Sequence, residues 1–201
     1  MKCLLTRLFS THLFVMLTGL LLASNPSPGK DFLITLNGSK LTGNIKIISF
    51  SSNESSISFE NDFGDIYTVH PATVSGFAHA EKGKTSLYES KLLDGRWMFL
   101  KVEKRGEALS LYMSSERQLK FTSSSESPII EKEKSTQIWL QFADEQPFKI
   151  YRLNFKSVLR RKMANYPVLV ERLGKRGFKY NNLPAIVDLY NQLDKQKGKR
   201  S

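Results

Sequence analysis

Between residues 32 and 142 apolar and polar residues alternate with a period of two, which is typical of strands with one buried face. Residues 32–36 lead into Asn37-Gly38, and the alternation resumes at residues 44–47. Asn-Gly is preferred in two-residue type I′ turns, which need a positive φ at both residues. The pattern therefore predicts a first hairpin whose register is set by Asn37-Gly38.

Similar alternation predicts further strands in residues 56–60, 65–69, 74–79, 97–102, 108–113 and 138–142, with Leu119 and Phe121 extending the series. His70-Pro71 ends one strand, because proline has no N–H for a ladder hydrogen bond. Residues 122–135 are rich in Ser, Glu and Lys, and this composition predicts a mobile loop. We expect an antiparallel β-meander, either a twisted sheet or a partly closed barrel.

After Pro147 the period changes to about 3.6, which indicates helices. Asn154 and Asn182 are predicted N-caps, and Pro167 opens a short helix between them that ends near Gly174 or Gly177. Residues at core spacing in these helices are Phe155, Val158, Leu159, Met163, Leu169, Val170, Leu173, Leu183, Ile186, Val187, Tyr190 and Leu193. The fold class is therefore α+β, a meander followed by two to three short C-terminal helices.

The N-terminus has the pattern of a cleavable signal peptide. Lys2 and Arg7 precede an apolar run at residues 13–23, which is shorter than the roughly 20 residues of a membrane-spanning helix. The predicted organisation is a signal peptide at 1–24, an antiparallel β domain at 25–151, a basic helical segment packed on it at 152–195, and a disordered basic tail at 196–201. We expect an exported protein, located in the periplasm, at the cell surface or outside the cell, with no transmembrane span after cleavage.

The single cysteine, Cys3, lies in the predicted signal, so the mature chain has no thiol. A disulfide framework is excluded, and the chain must rely on its hydrophobic core. A cysteine-free exported chain of this length fits a bacterial envelope better than a small secreted eukaryotic domain.

Positive charge is concentrated at the C-terminal end. Residues 25–145 contain 14 basic and 16 acidic residues, whereas residues 146–201 contain 14 basic and 3 acidic residues. Such asymmetry indicates an anionic partner for the basic part, and a solvated basic surface is the alternative. The charge count makes the following residues candidate ligands of an anionic partner, and helical spacing leaves the first two off the apolar stripe: Arg160, Arg161, Lys162, Arg172, Lys175, Arg176 and Lys179.

The sequence offers no local catalytic or metal-binding motif. His70 and His79 are the histidines after the signal, and no Asp, Glu or Cys stands at ligand spacing from them. The acidic turn at residues 60–65 lacks the order of a calcium loop and predicts a hairpin turn instead. Trp97 and Trp139 lie on the polar side of their strands, so an exposed one would suit a glycan or partner contact, whereas closure of the sheet would bury both. No cofactor is expected.

The order of motifs resembles a family of exported proteins of unknown function from Bacteroidota-type bacteria. The residues that carry the resemblance span most of the mature chain: Ile34-Thr35-Leu36-Asn37-Gly38, Gly43-Asn44-Ile45, Tyr67, Pro71, Gly76-Phe77, Phe99-Leu100, Gly106, Ser110-Leu111-Tyr112, Tyr166-Pro167, Leu173 and Leu189-Tyr190-Asn191. The chain departs from the family pattern at Ser39-Lys40 and at Tyr166. The resemblance implies an envelope location and a meander followed by helices, and it implies no chemistry.

Two functional hypotheses follow from the sequence. The first is a non-enzymatic envelope or extracellular domain whose basic helical face contacts an anionic surface or another envelope protein. The alternative is an enzyme that acts on an envelope polymer through carboxylates that the sequence does not locate. Nucleic acid is a poor candidate partner, because export separates the protein from it and no base-reading motif is present.

Overall fold

The computed structural model describes residues 30–50, 54–115, 118–120, 129–130, 136–143 and 145–199. The strands in chain order are β1 Asp31–Ile34, β2 Lys40–Phe50, β3 Ser55–Asn61, β4 Ile66–Val69, β5 Gly76–Glu81, β6 Lys84–Leu93, β7 Arg96–Lys104, β8 Leu109–Ser115, β9 Gln118–Lys120, β10 Ile129–Ile130, β11 Thr136–Phe142 and β12 Phe148–Ile150. Helices α1 Phe155–Lys162, α2 Pro167–Arg172 and α3 Leu183–Gly198 follow. The predicted signal peptide at 1–24 lies outside the described residues.

All strand pairs are antiparallel, in the order β10-β9-β2-β1-β5-β6-β7-β8-β11-β12, with β3 and β4 attached to β2 as a side branch. Among the described strands the sheet does not close into a barrel. Bulges between Ile45 and Ile47 in β2 and between Val102 and Lys104 in β7 interrupt the register, and such bulges increase the local twist. The α+β meander followed by short helices is confirmed.

The first hairpin forms, but its partner residues and its turn both differ from the prediction. Residues 31–34 pair with residues 40–43, whereas the prediction paired the first strand with residues 44–47. A type I′ turn needs a positive φ at both Asn37 and Gly38. Gly38 has φ of +84°, but Asn37 is not among the residues with positive φ. The N–H of Gly38 donates to the carbonyl of Thr35 at 3.0 Å, and the N–H of Thr35 donates to Ser39 at 2.9 Å. These bonds describe a longer loop with one left-handed residue, so the prediction of positive φ at both residues was wrong.

The structure adds three strands to the predicted set, β6, β10 and β12, and β12 lies just after Pro147, where the pattern predicts a change to helices. The sequence interpretation assigned no strand to the segment that forms β6, which pairs with both β5 and β7. Ile129 and Ile130 form β10, inside the stretch predicted to be a mobile loop, and the rest of that stretch lies outside the described residues.

The helices begin where the pattern predicts, but their caps differ. Asn154 and Asn182 occupy the N-cap positions, and neither side chain makes a capping hydrogen bond. Asn154 instead accepts the backbone N–H of Tyr151 at 3.1 Å. Helix α3 continues to Gly198, so the tail predicted to start at Gln196 is helical over its first three residues.

The described side chains of the strands and helices form three apolar clusters. The helices cover β8, β11 and β12, where Leu109, Leu111 and Leu140 pack against Leu159 and Ile186. A second cluster is formed by β1–β5 together with Phe99 of β7, and a third lies around Leu100, Tyr112 and Trp139.

One amide side chain ties α3 to the start of β8. Asn191 accepts the N–H groups of Ala108 and Leu109 at 3.1 and 3.0 Å, and it donates to the carbonyl of Leu109 at 2.8 Å. Gly106 allows this approach, because a Cβ at that position would collide with the Asn191 amide. The helical segment therefore has a fixed position on the sheet, which in turn positions the basic residues described below.

Candidate anion-binding pocket

A pocket of about 430 Å³ lies where the chain enters α1 and α3. Its lining contains three cationic side chains and no acidic one. The lining residues are Arg152, Phe155, Lys156, Gly174, Lys179, Tyr180, Asn181 and Asn182.

Three separate segments bring the cations together. Arg152 follows β12, Lys156 is in the first turn of α1, and Lys179 precedes the 3-10 turn Tyr180–Asn182 that leads into α3. The buried Phe155 ring meets the Tyr180 ring edge to face, with centroids 5.9 Å apart, and this contact fixes the two entry segments against each other. The stem of Lys156 lies against Gly174, where a Cβ would collide with it.

Tyr180 links the segment before α3 to the end of β12. Its hydroxyl donates to the carbonyl of Ile150 at 3.2 Å. Burial raises the pKa of Tyr180, and the positive charge of Arg152 acts in the opposite direction. The phenol therefore stays protonated at neutral pH and keeps its donor role, while the neighbouring guanidinium lies within electrostatic reach.

Within the part of the chain that the structure describes, Arg152, Lys156 and Lys179 form no ion pair. Several other cations are neutralised, for example Lys104 by Asp188 at 2.9 Å and Lys46 by Glu60 at 2.8 Å. From residue 146 to residue 182 the chain contains ten basic residues and one acidic residue. The pocket is therefore a site of positive charge without an ion-pair partner among the described residues.

The seven residues predicted as anion ligands are all exposed, and one of them lines this pocket. Lys179 lines the pocket, and Arg160 is four residues after Lys156 on α1, hence on the same side of that helix. Lys162 points elsewhere: it pairs with Glu145 and lies over the rings of Phe142 and Phe148.

The other predicted ligands lie outside the pocket lining, at Arg161, Arg172, Lys175 and Arg176. The Arg172 guanidinium lies 5.6 Å from the centre of the Phe178 ring. The sequence interpretation missed Arg152 and Lys156. Lys156 lies four residues before Arg160 on α1, and this spacing was the signal that could have found it, whereas Arg152 precedes the helix and has no such signal.

Two partly buried carboxylates are the natural candidates for an acid-base site, and both are held by donors. Asp31 accepts the N–H groups of Ile45 and Ala80, each at 2.7 Å, and contacts Nδ1 of His79 at 3.1 Å. Glu89 binds Lys91 at 2.9 Å, Arg105, and the hydroxyl of Tyr112 at 2.9 Å. Both groups have structural roles that account for their burial.

The two tryptophans differ in exposure. Trp97 is 47% exposed, whereas Trp139 is 8% exposed and donates its Nε1–H to Ser114 at 3.3 Å. Closure of the sheet, which would have buried both, does not occur in the described strands. The turn after Glu60 is a hairpin turn, as predicted, in which Asn61 accepts the N–H groups of Phe63 and Asp65 at 2.9 Å.

Within the described residues no three His, Cys, Asp or Glu side chains are grouped closely enough to hold a metal ion. The helices of that same part of the chain include none with the length and apolar character needed to cross a membrane. The resemblance to exported Bacteroidota-type proteins stays a prediction. Comparison of the chain with protein families, curated proteins and solved structures gives no match.

Proposed function

We propose that the protein is a non-enzymatic exported domain that binds a phosphate-bearing component of the cell envelope through its basic helical end. The observation that supports this most is the pocket in which Arg152, Lys156 and Lys179 meet without an acidic partner among the described residues. The three side chains are exposed and make no ion pair with a described residue, so their donors are available for charge-assisted hydrogen bonds to an anionic group. The sheet serves as the scaffold.

Phosphate is the anion that this arrangement suits best. It presents several acceptor oxygens, and a guanidinium and two ammonium groups from three segments of the chain supply donors in the pocket lining. Arg160, Arg161, Lys175 and Arg176 extend the positive field beyond the pocket. An extended field of this kind raises the local concentration of an anionic surface before contact is made.

Co-sedimentation of the mature protein with phosphatidylglycerol and phosphatidylcholine vesicles tests the proposal. We expect binding to the anionic vesicles alone, and binding should weaken steeply near ~0.5 M salt, because the screening length then falls well below ~8 Å. The double variant Lys156→Glu with Lys179→Glu should reduce binding by at least about tenfold, since each basic residue at an anionic surface contributes ~1 kcal/mol.

The matched control is the double variant Lys82→Glu with Lys84→Glu, which changes the net charge equally at the exposed β5–β6 turn. It should bind nearly as well as the native protein. Equal losses in the two double variants would mean that net charge alone is responsible and would contradict a role for the pocket. If the protein binds neither kind of vesicle, the basic helical end is a solvated surface and the proposal is wrong.

Export is a separate part of the proposal, supported by Lys2, Arg7 and the apolar run at residues 13–23. N-terminal sequencing of the protein recovered outside the cytoplasm should give a start within a residue or two of Ser24. Recovery of chains that begin at Met1 would contradict it.

A further inference from the structure

A second pocket, of about 580 Å³, is formed by residues from the N-terminal part of the sheet. It lies between the start of β2 and the β3–β4 hairpin. Its apolar lining includes the buried side chains of Leu33, Phe59 and Val69 and the half-exposed side chains of Leu41 and Tyr67. The lining is mostly apolar with a few polar groups, which is the usual character of a binding pocket.

The groove is bordered by the edge of β4. Among the described strands β4 pairs with β3 alone. Asn61 and Asp65 are joined by a backbone hydrogen bond of 3.0 Å, and bonded and non-bonded pairs alternate along an antiparallel ladder. In the register Glu60↔Ile66 and Ser58↔Thr68, the N–H and C=O groups of Ile66 and Thr68 therefore point away from β3.

This edge has only part of the usual protection against pairing. Edge strands are normally kept short or carry charged residues, proline or a bulge. β4 is short and is followed by Pro71, but it reads Ile-Tyr-Thr-Val without a charge and runs without a bulge beside β3. Ile66 is 65% exposed, and Phe63 in the preceding turn is 91% exposed.

The edge and the groove require the same kind of occupant. Tyr67 lies opposite Phe59 and Val69 opposite Ile57, so the face of β4 that carries Tyr67 and Val69 is the face that lines the groove. A strand added to β4 would place every second side chain on that face. An extended peptide would thus bond to Ile66 and Thr68 through its backbone and fill the groove with alternate side chains, which is the general mode of β-strand addition.

The charge around the hairpin adds a further requirement. Between Lys46 and Lys82 the chain contains no lysine or arginine and five acidic residues. Asp62 lines the groove and accepts the Thr42 hydroxyl at 2.7 Å, while Asp65 directly precedes β4. Neither carboxylate forms an ion pair with another described residue. Lys40 also lines the groove, with its ammonium 4.9 Å from the centre of the Phe32 ring.

We propose that β4 and the adjoining groove bind an extended segment of a partner protein. The segment has apolar side chains at alternate positions and a lysine or arginine beside Asp62 and Asp65. This site is distinct from the basic pocket, and the two tests are independent.

The probe is a set of short fluorescein-labelled peptides in which threonine alternates with valine, leucine or phenylalanine, with a lysine at each end. Fluorescence anisotropy with the mature protein should show saturable binding by at least one of them, and amide NMR shifts should centre on Ile66 and Thr68. Thr68→Pro removes an outward N–H without removing a bond to β3 and should weaken binding by at least about tenfold. Thr68→Val, which keeps the N–H, should bind like the native protein.

Three further comparisons make the result decisive. Peptides that end in glutamate should bind more weakly, and Asp62→Asn with Asp65→Asn should remove that preference. Leu153→Glu, at a fully exposed apolar residue outside the groove, should leave binding unchanged. If Thr68→Pro fails to fold, a peptide N-methylated at alternate amides replaces it and should not bind.

Binding by none of the peptides would overturn the proposal, and so would equal binding to Thr68→Pro and Thr68→Val. Self-association of the protein without peptide, lost in Thr68→Pro, would assign the edge to a second copy of the chain instead. Uptake of a fatty acid that is insensitive to Thr68→Pro would assign the groove to a lipid and would also contradict it.

Discussion

A single carboxylate, that of Asp31, joins three strands of the sheet. It stands at the start of β1 and accepts N–H groups from Ile45 in β2 and Ala80 in β5, besides its contact with His79. Burial alone would raise the pKa of Asp31, but the hydrogen bonds from His79, Ala80 and Ile45 outweigh it, and the pKa lies below the ordinary value of 3.8. The folded protein therefore favours the ionised form.

Asp31→Asn replaces one acceptor oxygen with a donor and leaves a backbone N–H without a partner. We expect a loss of about 2–3 kcal/mol in the free energy of unfolding at neutral pH, measured by urea denaturation. Because the folded pKa is depressed, the contribution of ionised Asp31 is present above pH 3.8 and is lost as the pH falls through the lower folded pKa.

The difference between the native protein and Asp31→Asn should accordingly shrink below about pH 4. Asp188→Asn is the control, because that carboxylate belongs to a half-exposed pair with Lys104 and should cost less than ~1 kcal/mol. A native-to-variant difference that is constant from neutral to acidic pH would contradict the role of the ionised carboxylate.

At the scale of elements, the periodicity of apolar residues located most strands and all three helices. Strand β6 shows why this periodicity does not locate every strand. In β6, Glu89 and Lys91 lie on a largely buried face, with side chains only 12% and 19% exposed. Their pairing with each other and the contact of Glu89 with Tyr112 make that burial possible. A polar residue satisfied by a partner from another strand breaks the alternation on which sequence reasoning depends. The Asp94-Gly95 turn after β6, with φ of +48° and +81°, was the local signal for the missing hairpin.

The first hairpin gives a prediction at this scale. Gly38→Val puts a β-branched side chain at φ of +84°, and we expect a loss of about 1–3 kcal/mol in unfolding free energy. A Cβ at Gly38 would meet no atom within 4 Å, so the cost is one of backbone conformation and not of collision. Gly38→Asn should cost less, because asparagine tolerates the left-handed region better. Equal denaturation midpoints for the native protein and the two variants would show that the turn conformation is not limiting.

At the scale of the whole molecule, the charge asymmetry was readable from the sequence, but the arrangement of the pocket was not. Counting residues identified the basic C-terminal end, and helical spacing identified its exposed positions. The meeting of Arg152, Lys156 and Lys179 depends on how the segment after β12 packs against the segment before α3. The neutralisation of Lys162 depends on Glu145, which lies in a different segment. Both are tertiary contacts, which periodicity along one element does not encode.

The sheet and the helices should unfold together, because β8 belongs to both parts of the interior. Leu109 and Leu111 of β8 pack in the helical cluster, while the next residue, Tyr112, packs with Leu100 and Trp139 in the sheet. Leu159→Ala, at a fully buried residue of α1, should lower the free energy of unfolding by about 2–5 kcal/mol. Far-ultraviolet circular dichroism of the helices and tryptophan fluorescence of the sheet should then shift to the same new midpoint. Val168→Ala, at a residue of α2 that is 56% exposed, is the control and should change stability by less than ~0.5 kcal/mol. If the helical signal were lost at lower denaturant while the tryptophan signal kept its native midpoint, the helices would be a separately unfolding unit, and the shared role of β8 would be refuted.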